Sequence, residues 1–301
     1  MPPAKTIARA MRTRTLPMVI APVAAGAASA FQRGYDFAWG WFVLTIVGAA
    51  ALQAGSNALG DVADARSSAD KLARVDRGAI ATDPNLIESK QMSARAILAL
   101  AAALYGVALV IGVVLAFARG WLVLPLGAAG GLLAWQYWWP PVKYGYRGFG
   151  AAGTFATFGV LAVVGASYVQ ARRFDVAAVW VAIVPGLFMS VVLFTHDVLH
   201  FRSDKAAGKQ TPAARFGDEV ALIAVGAWLT LIYVVLTIEV ALKVFPVWTL
   251  AAIVTALPVA GSWARAFRDP VVQKCLNLLG ATLGAAVLTT MTIAISLLFW
   301  R

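Results

Sequence analysis

The sequence predicts an all-α, polytopic transmembrane bundle of about nine spans, formed by a single domain over residues 1–301. Only 13% of the residues are charged, 61% are hydrophobic and the mean hydropathy is +0.78, whereas soluble domains carry about 25% charged residues. Apolar stretches long enough to cross a bilayer follow one another along the chain. We therefore expect the lipid bilayer to surround most of this protein.

The predicted spans are set by apolar runs of about 20 residues, the length that a transmembrane helix needs. The fourth contains Gly127, Gly130 and Gly131, and small residues permit close helix packing in lipid. The nine spans cover approximately residues 16–32, 37–59, 94–117, 121–138, 150–169, 176–194, 220–241, 247–263 and 276–300.

Lysine and arginine predict the orientation, because cytoplasmic segments of membrane proteins are enriched in both. With the N-terminus inside and nine spans, 19 of the 25 Lys and Arg residues fall on the cytoplasmic side. An even number of spans would not give this unequal division of Lys and Arg between the two sides. We expect a cytoplasmic N-terminus in the plasma (inner) membrane, without a cleaved signal peptide, and no nucleic-acid partner despite the net charge of +11.

Two long inside segments, residues 60–91 and 195–219, hold most of the acidic residues of the chain. Asn57, Asp61 and Asp64 follow the second span at i, i+4, i+7, so a continuing helix places them on one face. Neighbouring carboxylates repel unless a cation lies between them, and carboxylate oxygens suit Mg²⁺ shared with phosphate. The alternative is a solvated helix end.

The second acidic segment follows the sixth span and contains both histidines of the chain. His196, His200 and Asp204 are spaced at i, i+4, i+8, with Asp197 beside them. This pattern permits a transition-metal site as an alternative to Mg²⁺. Two lysines one turn apart, Lys205 and Lys209, are candidate diphosphate ligands.

A third inside segment joins the fourth and fifth spans and contains Lys143, Tyr144 and Arg147. Arginine recognises phosphate with two parallel hydrogen bonds, so this segment is a candidate phosphate clamp. Its alternative is an ordinary basic turn on the cytoplasmic side. The lone cysteine, Cys275, excludes an internal disulfide and a cysteine-based metal cluster.

The two acidic motifs resemble those of the UbiA superfamily of intramembrane aromatic prenyltransferases. Asn57, Asp61, Asp64 and Asp70 are similar to its first motif, and the second is similar over Asp204, Gly208, Lys209 and Thr211. The finer similarity is to the menaquinone-pathway branch, which prenylates 1,4-dihydroxy-2-naphthoate. It rests on the element around Arg12, Thr15 and Pro17 and on the segment from Tyr144 to Gly150.

The resemblance implies a Mg²⁺-dependent enzyme that transfers a prenyl group from a polyprenyl diphosphate to an aromatic acceptor. It implies that Asp61, Asp64 and Asp204 hold the metal, with His200 or Asp197 as the base that takes the acceptor proton. The substrate-binding residues that it implies, together with the basic groups described above, are Asn57, Arg147, Lys205, Lys209, Lys143, Arg12 and Tyr144.

The chain departs from the superfamily pattern at His200, where the second motif usually has its first aspartate. Other acceptors therefore stay open: 4-hydroxybenzoate, homogentisate, a tetrapyrrole or a polyol phosphate. Two further alternatives are a non-catalytic lipid-binding relative and a proton-coupled transporter. For the transporter, Glu239 in the seventh span is the main candidate residue, because intramembrane acids often mark ion pathways.

Overall fold

The computed structural model describes residues 2–67 and 86–300, and within these ranges it contains helices and no strand. Two short helical turns precede the first long helix: α1 (Ala4–Ala10) and a 3₁₀ turn (Thr13–Thr15). The remaining elements are α2 (Pro17–Gln32), α3 (Trp39–Ser67), α4 (Ala94–Arg119), α5 (Val123–Trp138), a 3₁₀ turn (Tyr144–Arg147), α6 (Gly150–Thr154), a π-helical segment (Phe155–Leu161), α7 (Ala162–Ala171), α8 (Ala177–Ala206), α9 (Pro212–Phe216), α10 (Asp218–Ala241), a 3₁₀ segment (Val247–Thr255), α11 (Ala256–Arg268) and α12 (Val272–Leu298).

Eight helical segments are long and apolar enough to cross a membrane, which confirms the predicted polytopic bundle. They are Thr13–Gln32, Trp39–Arg66, Ala94–Arg119, Gly150–Ala171, Ala177–Ala206, Asp218–Ala241, Val247–Arg268 and Val272–Leu298. The fourth predicted span forms α5, which has 16 residues and is shorter than the roughly 20 that a full crossing needs.

Both predicted acidic loops begin inside a helix among the described residues, which corrects the boundaries set from apolarity. Helix α3 continues to Ser67 and α8 to Ala206, well past the ends of their apolar runs at residues 59 and 194. The reason is that the polar residues at these helix ends are buried against other helices instead of meeting water. An apolarity pattern ends a span where polar side chains begin, whether or not the helix ends there.

Helix α8 is the centre of the bundle. Phe188, Met189 and Val191 of α8 are almost completely buried in the main apolar core, together with residues of α2, α10 and α12. Where α8 meets the π-helical segment, a Cβ built on Gly159 would lie 2.6 Å from the Gly186 Cα. Position 159 therefore needs glycine, and this close approach lets α8 pack directly against the π-helical segment.

Helix α5 packs more loosely than its glycines suggested. A Cβ added at Gly130 or at Gly131 would lie 3.6 Å from the Leu52 side chain, which is an ordinary contact distance. A Cβ at Gly127 would meet nothing within 4 Å. The prediction of close packing through all three glycines is therefore wrong at Gly127.

Candidate functional site

Acidic side chains from two helices are buried at one end of the bundle, here called the polar end. Asp61 and Asp64 lie in the last two turns of α3, and both are 2% exposed. Asp197 and Asp204 lie in the last turns of α8 and are also buried. Helices α3 and α8 thus place carboxylates in a region with little access to water, although a carboxylate is more stable in water unless it is paired or hydrogen-bonded.

Lys209 joins the two helices electrostatically. Its Nζ lies 3.4 Å from Asp64 Oδ1 and 3.0 Å from Asp204 Oδ1. Burial opposes the ammonium charge, but the Asp64 and Asp204 carboxylates outweigh this effect and raise the pKa of Lys209 well above its usual value. One cation therefore reaches a carboxylate from each helix.

The backbone after α8 fixes the position of Lys209. Gly208 has a φ of +74°, a left-handed conformation that favours glycine at a helix end. The Lys209 amide then donates to the Asp204 carbonyl at 2.9 Å. Two residues after Lys209, the Thr211 hydroxyl accepts from the Ala214 amide at the start of α9. The Gly-Lys-x-Thr motif is thus a short connection that folds Lys209 back over α8.

The segment after α5 covers the ion pair from the other side. The Tyr146 hydroxyl donates to Asp64 Oδ1 at 3.1 Å, and the Lys209 Nζ lies 4.9 Å from the centre of the Tyr146 ring. The Gln210 amide donates to the Tyr146 carbonyl at 2.8 Å. At Gly148, φ is +87° and a Cβ would lie 2.6 Å from the Gln210 carbonyl oxygen, so only glycine allows the two segments to meet.

The N-terminal segment is fixed against α3 rather than left as a tail. The side-chain amide nitrogen of Asn57 donates to the Met11 carbonyl at 3.1 Å and lies 3.3 Å from the Thr15 hydroxyl. Gln53 donates to the Thr15 carbonyl at 3.0 Å. Arg9 donates to Gln91 at 2.7 Å, which ties the segment to the residues that follow the undescribed part of the chain.

A cavity of about 1530 Å³ runs through the bundle from the polar end. Its mouth is lined by Arg12, Asn57, Tyr137, Tyr144 and His196, and its depth is almost wholly apolar. Among the described residues that line it, the charged side chains are all basic and none is an Asp or Glu. The cavity therefore suits a molecule with an anionic head and a long apolar tail.

The acidic residues lie about one helical turn beyond this mouth. Asn57 of α3 and His196 of α8 line the cavity, while Asp61 and His200 come four residues later on the same helices. The imidazole rings of His196 and His200 are 4.6 Å apart. These two histidines thus form a short polar connection between the cavity and the acidic end of α8.

The donor set at the polar end fits Mg²⁺ that shares its shell with a phosphate. Within residues 2–67 and 86–300, no three His, Cys, Asp or Glu side chains come together closely enough to hold a metal by themselves. Asp64 and Asp204 nevertheless reach one cation, Lys209. Mg²⁺ is commonly bound by one or two carboxylates and completed by water and substrate phosphate, so this donor set is sufficient.

The structure brings some predicted site residues together and leaves others apart. Asp64, Asp204 and Lys209 share the ion pair, Asp61 accepts from the Leu86 amide at 3.4 Å, and the Lys143 Nζ lies 5.1 Å from the Tyr146 ring centre. Tyr144 is buried at the cavity mouth, and this burial raises the pKa of its phenol well above the usual value.

Two predicted phosphate ligands point elsewhere in this structure. Arg147 is exposed and donates to the Pro141 carbonyl at 3.3 Å, and Lys205 is exposed on the outer side of α8. Their roles in phosphate binding stay predictions. Asp70, the last acid of the first motif, lies outside the described residues.

The predicted site residues did not include Tyr146 or Gln53, and His196 was predicted only as part of the alternative transition-metal site. His196, Tyr137 and Gln53 line the cavity mouth, and Tyr146 contacts Asp64. The i, i+4 spacing of the histidines placed His196 on the same helix face as His200, so helical periodicity alone identified it as a candidate. Nothing in the sequence around Tyr146 or Gln53 indicated contacts with partners 82 and 38 residues away, respectively.

Glu239, the residue on which a transporter interpretation depends, lies far from this site. It is 2% exposed near the last residue of α10, at the end of the bundle opposite Asp61 and Asp204. No hydrogen bond to either carboxylate oxygen is formed by the described residues. It is not connected to the buried ion pair or to the cavity lining.

Comparison with known proteins agrees with this architecture. The model of the UbiA prenyltransferase family matches residues 19–281. The chain is 34% identical over 209 residues to a 1,4-dihydroxy-2-naphthoate octaprenyltransferase of Mycobacterium leprae, covering 69% of this chain and 68% of the relative. It is 31% identical over 213 residues to the protein of that name from Escherichia coli K12, covering 69% and 67%.

Solved structures share the fold along nearly the whole chain. A UbiA homologue from Archaeoglobus fulgidus bound to DMAPP and Mg²⁺ has a TM-score of 0.66 at 14% identity, covering 96% of this chain and 99% of the homologue. A UbiA homologue from Aeropyrum pernix K1 has a TM-score of 0.64 at 18% identity, covering 91% and 98%. The predicted resemblance is thus confirmed, and the chain belongs to the UbiA prenyltransferase family.

Proposed function

We propose that this prenyltransferase moves a prenyl group from a polyprenyl diphosphate to a dihydroxynaphthoate-like acceptor in quinone biosynthesis, with Mg²⁺ as cofactor. The observation that supports the proposal most directly is the contact of one ammonium, Lys209, with Asp64 of α3 and Asp204 of α8. These carboxylates lie beside the mouth of a long apolar cavity, as an amphiphilic diphosphate requires. The names of the M. leprae and E. coli relatives support the acceptor class.

The metal would be held by Asp64 and Asp204, with Asp61 one turn away on α3. When bound, Mg²⁺ would supply positive charge that neutralises the diphosphate and eases its departure. Lys209 lies between these carboxylates, and in the loaded site its ammonium would donate to a phosphate oxygen of the donor. Lys143 and Arg147 belong to the neighbouring segment and would add charge-assisted hydrogen bonds.

The prenyl carbon that loses the diphosphate becomes electron-poor and is attacked by the aromatic acceptor. Tyr137 and Tyr144 line the mouth, with ring centres 5.3 Å apart, and aromatic faces stabilise a nearby positive charge. Arg12 and Asn57 also line the mouth and would orient the acceptor. His200, Asp197 or the cavity-lining His196 would take the proton that the acceptor releases.

The experiment is a direct assay of the purified protein in detergent or lipid nanodiscs. The protein is incubated with Mg²⁺ and octaprenyl or geranylgeranyl diphosphate, together with a pool of aromatic acceptors that includes dihydroxynaphthoate. Mass spectrometry then detects the prenylated product and the released diphosphate. We expect a Mg²⁺-dependent adduct of dihydroxynaphthoate. An adduct of 4-hydroxybenzoate, homogentisate or a tetrapyrrole instead would replace the acceptor in the proposal, and saturable donor binding without any adduct would favour a non-catalytic relative.

We propose further that the site faces the cytoplasm of a plasma-membrane protein and that residues 1–301 form one domain. The excess of Lys and Arg around the polar end supports this orientation. The family model, which matches residues 19–281, supports a single domain.

A further inference from the structure

Tyr146 contacts each of the segments that form the polar end of the bundle. Its hydroxyl donates to Asp64 Oδ1 of α3 at 3.1 Å. Its ring centre lies 5.1 Å from the Lys143 Nζ and 4.9 Å from the Lys209 Nζ. An aromatic face attracts a cation within about 6 Å of the ring centre, so one ring interacts with the ammonium groups of two lysines.

The backbone joins Tyr146 to both lysine segments. Its amide donates to the Lys143 carbonyl at 2.9 Å. Its carbonyl accepts from the amide of Gln210, the residue after Lys209, at 2.8 Å. The position of the Tyr146 ring relative to the backbone of each lysine is therefore set by hydrogen bonds of the fold.

The turn that carries Tyr146 has a backbone conformation that its sequence does not favour. Lys143 has a φ of +46°, in the left-handed region where residues other than glycine are uncommon. Such conformations persist where surrounding contacts hold them, and they are concentrated at functional sites. The hydrogen bonds of Tyr146 with Asp64 and Gln210 supply contacts of this kind.

The two ammonium groups differ in their counter-ions. Lys209 has the Asp64 and Asp204 carboxylates at 3.4 and 3.0 Å. With the part of the chain that the structure describes, the Lys143 ammonium forms no ion pair, and its contact is the Tyr146 ring. The site thus holds a positive charge at the ring that an anionic ligand can neutralise.

We propose that Tyr146 is a positioning residue whose ring holds the Lys143 and Lys209 ammonium groups ready for the diphosphate of the donor. The inference rests on the proposed function in taking a prenyl diphosphate as the ligand. The two ring distances allow at most about 10 Å between the ammonium groups, a gap that a diphosphate bridges with charge-assisted hydrogen bonds of about 2.8 Å at each end. Without the ring, binding would have to order both lysine side chains, which weakens affinity.

Two substitutions separate the ring of Tyr146 from its hydroxyl. Tyr146→Phe keeps the ring and removes the hydrogen bond to Asp64, whereas Tyr146→Leu removes both. Tyr35→Leu is the matched control, because Tyr35 is also partly buried and its ring centre lies 5.1 Å from the Arg173 guanidinium. This control removes a similar cation–π contact far from the acidic residues.

The measurement is the Kd of farnesyl diphosphate in nanodiscs with Mg²⁺ and without acceptor. We expect Tyr146→Leu to weaken binding about tenfold and Tyr146→Phe by less than about threefold, because the attraction of a cation needs the ring and not the hydroxyl. Tyr35→Leu should leave the Kd unchanged. An equal loss in Tyr146→Phe and Tyr146→Leu, or no loss in either, would overturn the inference.

A double-mutant cycle tests whether Tyr146 acts through Lys143. In a Lys143→Met background one of the two ammonium groups is absent, so we expect Tyr146→Leu to weaken donor binding by less than about threefold. A purely structural role of Tyr146 would give the same loss in both backgrounds. A loss in the Lys143→Met background as large as in the unmodified protein would therefore contradict the proposed role.

Phenylalanines with increasing fluorine substitution, incorporated at position 146, keep the shape of the ring. Fluorine withdraws electron density from the ring face, so the donor Kd should rise with each added fluorine. A constant Kd across this series would refute the inference even if Tyr146→Leu does not fold. If the protein binds the donor but prenylates no acceptor, the proposed function fails while these comparisons still decide the role of Tyr146; if it does not bind the donor, both fail.

Discussion

Lys209 lies 3.4 Å from Asp64 although 145 residues separate them in the sequence. The same ammonium lies 3.0 Å from Asp204, five residues before it. The three side chains come from the end of α3, the end of α8 and the turn that follows α8. Their charges can therefore balance only after these two helices have packed side by side, which makes this ion pair a reporter of the assembled site.

Replacing either partner carboxylate by its neutral isostere should abolish turnover. We expect Asp64→Asn and Asp204→Asn each to lower kcat by at least about 10²-fold, because each removes a negative charge that would hold Mg²⁺ against the diphosphate. The measurement is Mg²⁺-dependent product formation by protein that still elutes as a folded species in detergent. Asp269→Asn is the control, since Asp269 pairs with Lys274 at an exposed position. Full activity in both Asp64→Asn and Asp204→Asn would contradict the two-motif site.

Removing the bridging cation should make folding depend on added metal. In Lys209→Met the two buried carboxylates lose their common counter-ion, and breaking a buried ion pair costs about 3–5 kcal/mol. We expect a lower unfolding temperature in EDTA than for the unmodified protein, and a larger recovery on adding Mg²⁺. Thermal unfolding in detergent measures both. Equal stabilisation of the two proteins by Mg²⁺ would show that the metal and Lys209 do not share a position.

The stabilisation supplied by Lys209 should not be lost across the neutral and mildly alkaline range. Its pKa is raised above the unfolded value of about 10.4, so the contribution is complete below that value and is lost only as pH rises through the higher folded pKa. The difference in unfolding temperature between the unmodified protein and Lys209→Met, measured without metal, should therefore show no decline from pH 7 to roughly pH 9.5. A decline within this interval would mean that the ammonium loses its proton there.

His200 occupies a position where the superfamily pattern has an aspartate, and its replacement separates two roles. If the imidazole only substitutes for a carboxylate, His200→Asp keeps Mg²⁺-dependent turnover, and this is the outcome that we expect. Complete loss of activity with unchanged donor binding would assign the imidazole its own role in proton transfer. His196→Gln is the companion variant, because His196 lines the cavity; we expect it to raise the KM of the acceptor and leave that of the donor unchanged.

Orientation in the membrane can be measured with single cysteines. In a Cys275→Ala background, which removes the buried native thiol, Lys205→Cys marks the polar end and Phe174→Cys marks the opposite end, and both positions are exposed. A membrane-impermeant maleimide applied to intact cells should label position 174 and should reach position 205 only after permeabilisation. The reverse labelling pattern would place the site outside the cytoplasm.

Much of the fold follows from sequence alone, for a simple physical reason. A bilayer requires about 20 apolar residues per helical crossing and satisfied backbone groups throughout, so apolar runs report spans directly. They report helix ends poorly, because α3 and α8 extend into polar residues that neighbouring helices bury. They also overestimated the packing of α5, where Gly127 faces open space.

By itself the sequence determined the helical membrane fold, the family and the two rows of acidic residues, since helical periodicity fixes which residues share a face. Only the tertiary structure decided that Lys209 joins Asp64 to Asp204, that Tyr146 covers them, that His196 faces the cavity, and that Arg147 and Lys205 are exposed. Periodicity says nothing about how one helix is rotated against another. That rotation is set by packing between distant segments, such as the contact of Gly159 with Gly186 and the hydrogen bond from Gln210 to Tyr146.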